Sequence, residues 1–273
     1  MRRAAVAMGD RLPKWIARRL RSSSRVTTAL RPVVNRLVPE RPTVVTVVSG
    51  RAAGLRLEIL PRSEKYYWLG TYEPEVLDAL CAALRPGSVF WDVGAHVGYL
   101  SAVASRLVGP TGEIVAFEPN PSNLGRLRRT IELNGLENVR VRPVAISDGP
   151  AELRFLLHAS SSMGHVADPA QDGETIVVEA SSLDHEAATS RTPDLVKIDV
   201  EGHEPSVIAG AAELCRNRPP TLVIEVLSEQ HRHGVVAMPP GFSFRMLDRT
   251  NMLAIPPAVG DGRRTRLDGG LGR

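Results

Sequence analysis

The sequence predicts an α/β fold, with a mostly parallel sheet and helices on both faces. From residue 87 onward, short β-branched runs alternate with segments of helical period. The run VFWDV stops on an acidic residue and turns through two glycines, Gly94 and Gly98, into a helical pattern. Polar residues, most of them acidic, gather where the apolar runs end, which is where open α/β sheets bind ligands.

The elements follow in order. Residues 1–41 form a basic extension with ten Arg and one Lys against Asp10 and Glu40, a balance of +9. The whole chain carries +4, so the remainder holds −5 and its body is mildly acidic. Helical pieces in the extension are broken at Pro13, Pro32 and Pro39. It reads either as an arm for an anionic membrane surface or a protein partner, or as a solvated extension. Residues 42–86 precede the core. TVVTVVSG and LRLEIL make a hairpin around Gly50 and Gly54, and a helix covers about 74–84, with Pro74 in its first turn.

Residues 87–258 carry the alternation. Strands are expected at 88–93, 113–117, 139–145, 195–200 and 221–226. Helices are expected at 97–107, 121–133 and 205–215. Two further strand-like runs, AELRFLL and ETIVVEA, flank the polar stretch LHASSSMGHVADPAQDG. FSFRMLD and NMLAI close the core as an antiparallel hairpin. The Gly/Arg-rich residues 259–273 are expected to fray.

Composition excludes several classes. Aromatics are 4%, too few for stacking platforms on single strands, and the positive charge sits on the arm, so no nucleic-acid partner is expected. Cys81 and Cys215 lie in apolar helical contexts and read as buried free thiols. No apolar run approaches the ~18 residues of a membrane span. The apolar residues 4–8 are too short for a signal-peptide core, so the expected location is cytoplasmic.

The strand ends carry the chemistry. They are Asp92-Val93-Gly94, Glu118-Pro119-Asn120, residues 145–148, residues 199–204 and Glu225. Each alone reads equally well as a helix cap or a solvated loop. Glu118 lies 24 residues after Gly94, where a carboxylate accepts hydrogen bonds from both ribose hydroxyls of an adenosine ligand and repels a 2′-phosphate. The loop lacks the third glycine of a pyrophosphate cradle and adds Asp92, whose charge disfavours phosphate and favours an ammonium group. An adenosine ligand with a cationic tail fits, and S-adenosyl-L-methionine is one.

The stretches WLGTYEPEV, VFWDVGAHVGYLS, VAFEPNPSN, NGLENV, AISD, LVKIDVEGHEPSVIAGA and LVIEV occur in that order over residues 68–226. Together they resemble the FkbM family of S-adenosylmethionine-dependent methyltransferases. The resemblance implies a class I Rossmann-like fold of seven strands, the last antiparallel. It also implies O-methylation of a hydroxyl on a small-molecule or glycan acceptor, a saccharide or natural product. It places Asp92, Gly94 and Gly98 in the loop facing the methionine part and Glu118 on the ribose. Asn123, Ala145 and Ser147 fall near the adenine, and Asp199, Glu201 and His203 beside the reactive methyl. His96 stands at a variable loop position with no chemistry assigned.

A hydroxyl acceptor must lose its proton, and Asp199, Glu201, His203, Glu204 and Glu225 are candidate bases, Asp199 and His203 first. Alternation puts Asp199 and Glu201 on one side if the strand continues that far. Glu204, before Pro205, also reads as a helix cap. Asp199, Glu201 and Glu225 could ligate a divalent metal, but no spacing demands one and none is predicted. Acceptor choice falls to residues 157–173 and 66–72. Two other readings stay open: a nicotinamide-dependent oxidoreductase on a similar sheet, and a non-catalytic nucleoside-binding module.

Overall fold

The computed structural model describes residues 41–157, 165–166, 173–228, 235 and 241–257. The basic arm up to residue 40, most of the polar stretch 157–173 and the tail from 258 lie outside the described residues. The hairpin β1 (Thr43–Thr46) and β2 (Arg56–Ile59) comes first. It is followed by α1 (Lys65–Leu69) and α2 (Pro74–Ala83). Then come β3 (Val89–Val93), α3 (Tyr99–Val108), β4 (Glu113–Phe117), α4 (Pro121–Asn134) and β5 (Val139–Arg142). A smaller sheet is made of β6 (Ala145–Ile146), β7 (Ala151–Leu156), β8 (His165–Val166) and β9 (Thr175–Ser181). The chain returns through α5 (Leu183–Thr189), β10 (Leu195–Ile198), α6 (Glu204–Ala209), α7 (Ala212–Asn217) and β11 (Thr221–Glu225). It ends on β12 (Ser243–Met246) and β13 (Asn251–Ile255).

The main sheet has the order β12-β13-β11-β10-β3-β4-β5. Strand β13 is antiparallel to both neighbours, so the other strands share one direction. The sheet thus has the seven strands, with the last one antiparallel, that the resemblance implies. Every residue of β3 is buried, because the sheet is covered on both faces. Alternation divides the strand between two cores. Phe90 faces the core built by the hairpin, α2 and α3. Val89, Trp91 and Val93 face the core built by α5, α6 and α7. The hairpin and α2 therefore pack into the same interior as the central strands.

The expected strand 139–145 is two strands. Pro143 offers no N–H to the ladder, so β5 stops at Arg142, and Ala145–Ile146 leaves to pair with β9 in the smaller sheet. The expected helix 205–215 is also two pieces. The backbone at Gly210 lies against the turn after β6, where an added Cβ would stand 2.1 Å from the Ser147 carbonyl oxygen. The strand expected to reach residue 200 ends at Ile198, so Asp199 and Glu201 do not share a strand face. The short helices α1 and α5 have no counterpart in the expectation.

Two glycines test this packing in opposite directions. Gly210→Ala forces backbone against backbone and is expected to destabilise by more than about 2 kcal/mol in urea unfolding. Gly125 lies exposed in α4 with nothing near its missing Cβ, so Gly125→Ala is expected to stabilise by about 0.5–1 kcal/mol. Equal effects would contradict the close approach at Gly210.

Candidate active site

A cavity of about 490 Å³ opens at the carboxyl ends of β3, β4, β10 and β11. All four tyrosines of the chain, Tyr66, Tyr67, Tyr72 and Tyr99, line it. So do the three non-glycine residues with positive φ among the described residues, Glu73 (39°), His96 (52°) and Glu201 (56°). Such conformations cost on the order of 1–3 kcal/mol each and persist only where the surroundings impose them. Their gathering around one cavity makes it the candidate functional site.

The floor is a charge cluster set by strand register. Parallel pairing of β3 with β10 places Asp92 beside Lys197. Both side chains are buried, and Ser101 Oγ donates to Asp92 Oδ2 at 2.5 Å. Lys197 Nζ ion-pairs with Asp199, two residues on and therefore on the same side of the chain. Burial opposes the lysine's charge, but Asp199, Glu73 and Asp92 outweigh it and push its pKa up. Burial likewise opposes the Asp199 carboxylate, yet Lys197 holds its pKa below the usual value. Glu225, at the end of β11, hydrogen-bonds to Asp199. Burial and the Asp199 charge push Glu225 up to about 9, so it carries the proton between them. Burial also raises Asp92, against the pull of Lys197.

A second cluster fixes the glycine loop. Arg126 on α4 donates to Glu64 at 2.7 and 3.0 Å, and both side chains are buried. His96 Nε2 lies 3.3 Å from Glu64 and 3.2 Å from Arg126, while Nδ1 meets the Tyr67 hydroxyl at 3.0 Å. Burial pushes His96 down. Burial acts against the Glu64 carboxylate, but His96 and Arg126 prevail and hold it at about 2. Glu118 accepts from the His96 and Asn120 N–H groups, both at 2.8 Å. Burial nonetheless pushes Glu118 up to about 7.

Of the residues singled out in the sequence, Asp92, Gly94, Glu118, Asn123, Ala145, Asp199, Glu201 and His203 line the cavity together. Gly98 and Ser147 stand behind it. A Cβ on Gly98 would meet Leu127 Cδ1 at 2.5 Å, so its glycine serves helix packing. Ser147 Oγ sits 2.9 Å from His203 Nε2, and burial lowers the His203 pKa. Glu204 accepts from the Val200 and Gly202 N–H groups at 3.0 and 3.1 Å and caps the turn before α6. Among the described residues, no group of three His, Cys, Asp or Glu is arranged to hold a metal.

Sequence reasoning does not single out Lys197, Glu73, Glu64, Arg126 or Tyr99, whereas Tyr66, Tyr67 and Tyr72 fall in the segment 66–72 expected to choose the acceptor. One signal was available: a lysine inside the apolar strand LVKI, where charge is buried only if paired. Glu64 and Arg126 carry no such mark, since their meeting depends on tertiary packing.

The Glu64 pair makes a stability prediction. A folded-state pKa near 2 against an ordinary 4.5 means its contribution is whole above pH 4.5 and fades as pH falls toward 2. That contribution is about 3 kcal/mol. Glu64→Gln should flatten the acid slope of unfolding free energy between those values. Arg126→Ala should cost about 3–5 kcal/mol at pH 7 by leaving a buried carboxylate alone. An unchanged acid slope in Glu64→Gln would show that the pair does not carry this term.

The family described as "Methyltransferase FkbM domain" matches residues 92–244, more than half of the chain. The "Hexuronic acid methyltransferase AglP" of Haloferax volcanii is 25% identical over 170 residues, which cover 62% of this chain and 69% of that protein. Among solved structures, the methyltransferase FkbM from Methylobacillus flagellatus KT has 15% identity and a TM-score of 0.43, with 84% of this chain covered. This chain spans 59% of that structure, less than two thirds of its length. The precorrin-6y C5,15-methyltransferase from Geobacter metallireducens GS-15 has 16% identity and a TM-score of 0.42, covering 68% of this chain and 89% of its own. The chain belongs to the family described as "Methyltransferase FkbM domain".

Proposed function

We propose that this protein moves the methyl group of S-adenosyl-L-methionine to a hydroxyl oxygen, on a saccharide or a natural product of similar polarity. One observation carries the reading. Six acidic side chains line the cavity, Glu73, Asp92, Glu118, Asp199, Glu201 and Glu225, and even with Glu225 protonated they outnumber the single ammonium of Lys197. That excess of acid suits a ligand with a sulfonium and an α-ammonium group and repels a dinucleotide's pyrophosphate. The tyrosine faces add cation–π attraction for the same charge. An oxidoreductase using a nicotinamide cofactor is disfavoured on this ground.

The residues divide the work. Asp92 and the backbone at Gly94 face the methionine part, with Gly98 holding the loop against α4. Glu118 takes the ribose. Asn123 and the apolar wall of Phe117, Val144, Ala145 and Ile146 take the adenine, with Ser147 behind them. Asp199, Glu201 and His203 surround the reacting centre. Bound there, the cofactor supplies an electrophilic methyl and a neutral thioether leaving group, so the protein's task is largely alignment and exclusion of water. Asp199 is kept anionic by Lys197, which suits it to steady the donor's positive charge and makes it a weak base. His203 is held by Ser147. Phe155 and Val166 of the smaller sheet, with Tyr66 and Tyr72, form the wall left for the acceptor. The saccharide class is supported by the hexuronic acid methyltransferase relative, and a pyranose ring suits an aromatic wall.

Calorimetry with S-adenosylmethionine and with NAD tests the cofactor, and a NAD complex without a S-adenosylmethionine complex would sink the reading. Methyl-labelled cofactor with a panel of pyranosides and uronic acids tests the acceptor. Glu118→Ala should weaken S-adenosylmethionine binding about 10–100-fold by removing charge-assisted hydrogen bonds. Asp199→Asn should lower turnover at least ~100-fold while shifting cofactor affinity less. If it binds cofactor far more weakly and turns over normally when saturated, Asp199 belongs to binding alone.

A further inference from the structure

We propose that Glu73, at the start of α2, is the carboxylate that takes the proton from the acceptor's hydroxyl. This inference rests on the methyl-transfer reading above. Glu73 lies in the stretch WLGTYEPEV, ahead of residues 92–244 that the family model matches.

Its backbone is the first argument. Glu73 has φ 39° and ψ 61°, although a residue before proline is driven toward extended values. The Glu73 carbonyl accepts from the Leu77 N–H at 3.0 Å and so starts α2, but the side chain makes no capping hydrogen bond and is left free of the helix. What the conformation achieves is to turn the carboxylate into the cavity. There Oε2 is buried and has no hydrogen-bond partner among the described residues. A buried, unpartnered carboxylate oxygen held by a strained turn is a group waiting for a donor.

The neighbouring groups narrow the choice. Asp199 is committed to Lys197 and Glu225, and Glu225 already holds a proton. Glu204 is a cap, and His203 is tied to Ser147. The groups facing Glu73 are Tyr72, which hydrogen-bonds to its carboxyl and leaves Oε2 over, Tyr67, Lys197 on β10, Asp199 just after it, and Asp248 before β13. Burial dominates among them and brings Glu73 to about 7, a value suited to a base that is ionised at neutral pH and still able to hold a proton. Its neighbour Tyr72 stacks on Tyr66 with ring centroids 5.3 Å apart, so an acceptor resting on that wall lies next to Glu73.

The step balances. Glu73 takes the hydroxyl proton as an electron pair of that oxygen closes on the methyl carbon, and the carbon–sulfur bond opens with its pair going to sulfur. The products are a methyl ether, a neutral thioether and a protonated Glu73, which returns its proton to water.

The test uses the full chain in three measurements. Carbon-13 carboxyl NMR of glutamate-labelled protein should show a resonance titrating near neutral pH that is missing in Glu73→Gln. A Glu73 resonance titrating in the ordinary range near 4 overturns the proposal, whatever the acceptor. Calorimetry with S-adenosylmethionine should give a dissociation constant for Glu73→Gln within about threefold of the parent. A loss greater than tenfold would assign Glu73 to the cofactor and also overturn it. With an acceptor found by label transfer, kcat should fall at least ~100-fold in Glu73→Gln, with partial recovery in Glu73→Asp. Retention of a tenth of the parent kcat would exclude Glu73 as the base. Failure of the parent protein to bind S-adenosylmethionine would instead sink the methyl-transfer reading itself.

Discussion

The buried Lys197–Asp199 ion pair is the constraint on which the site depends. A lysine inside a sheet is costly unless matched, and here Asp92, Asp199 and Glu73 match it, with Glu225 hydrogen-bonded to Asp199 behind them. Strand register supplies Asp92, the chain's own alternation supplies Asp199, and the end of β11 supplies Glu225. The N-terminal turn before α2 supplies Glu73. One ammonium thus gathers acid that would otherwise repel itself. Because the acid exceeds it, the pocket keeps an unmet negative balance that a cationic ligand can satisfy.

The alternation of strands and helices was legible because apolar period and turn chemistry are local. The end of β3 at Val93, the Gly94–Gly98 turn and the end of β4 just before Glu118 all fall where the pattern puts them. What was not legible depended on contact at a distance. The chain leaves the main sheet after Arg142 because Pro143 cannot extend the ladder and β9 offers another partner. The helix after Glu204 breaks because Gly210 meets the Ser147 carbonyl. His96 seemed uninformative in the sequence, yet Glu64 and Arg126, far from it along the chain, grip its ring. The same holds for the tyrosine wall, whose members become one surface only when the N-terminal helices fold over β3.

Strain and unmatched charge sit together. Glu73, His96 and Glu201 hold left-handed backbone, and Glu73, Glu118 and Glu225 are carboxyls raised to near or above neutrality by burial. Each costs folding free energy, and the well-packed cores on both faces of the sheet offset that cost. The hairpin, α1 and α2 contribute both to the packing and to the rim, so the same residues that stabilise the fold also shape what can enter.

The glycine loop carries a last consequence. A Cβ on Gly94 would fall 1.9 Å from the carbonyl oxygen of Asp199, so the two strand ends touch backbone to backbone. No side chain intervenes that substitution could lengthen or shorten. The spacing between the glycine loop and the Asp199 carboxylate is therefore a rigid ruler, set by two backbones in contact rather than by the length of any side chain.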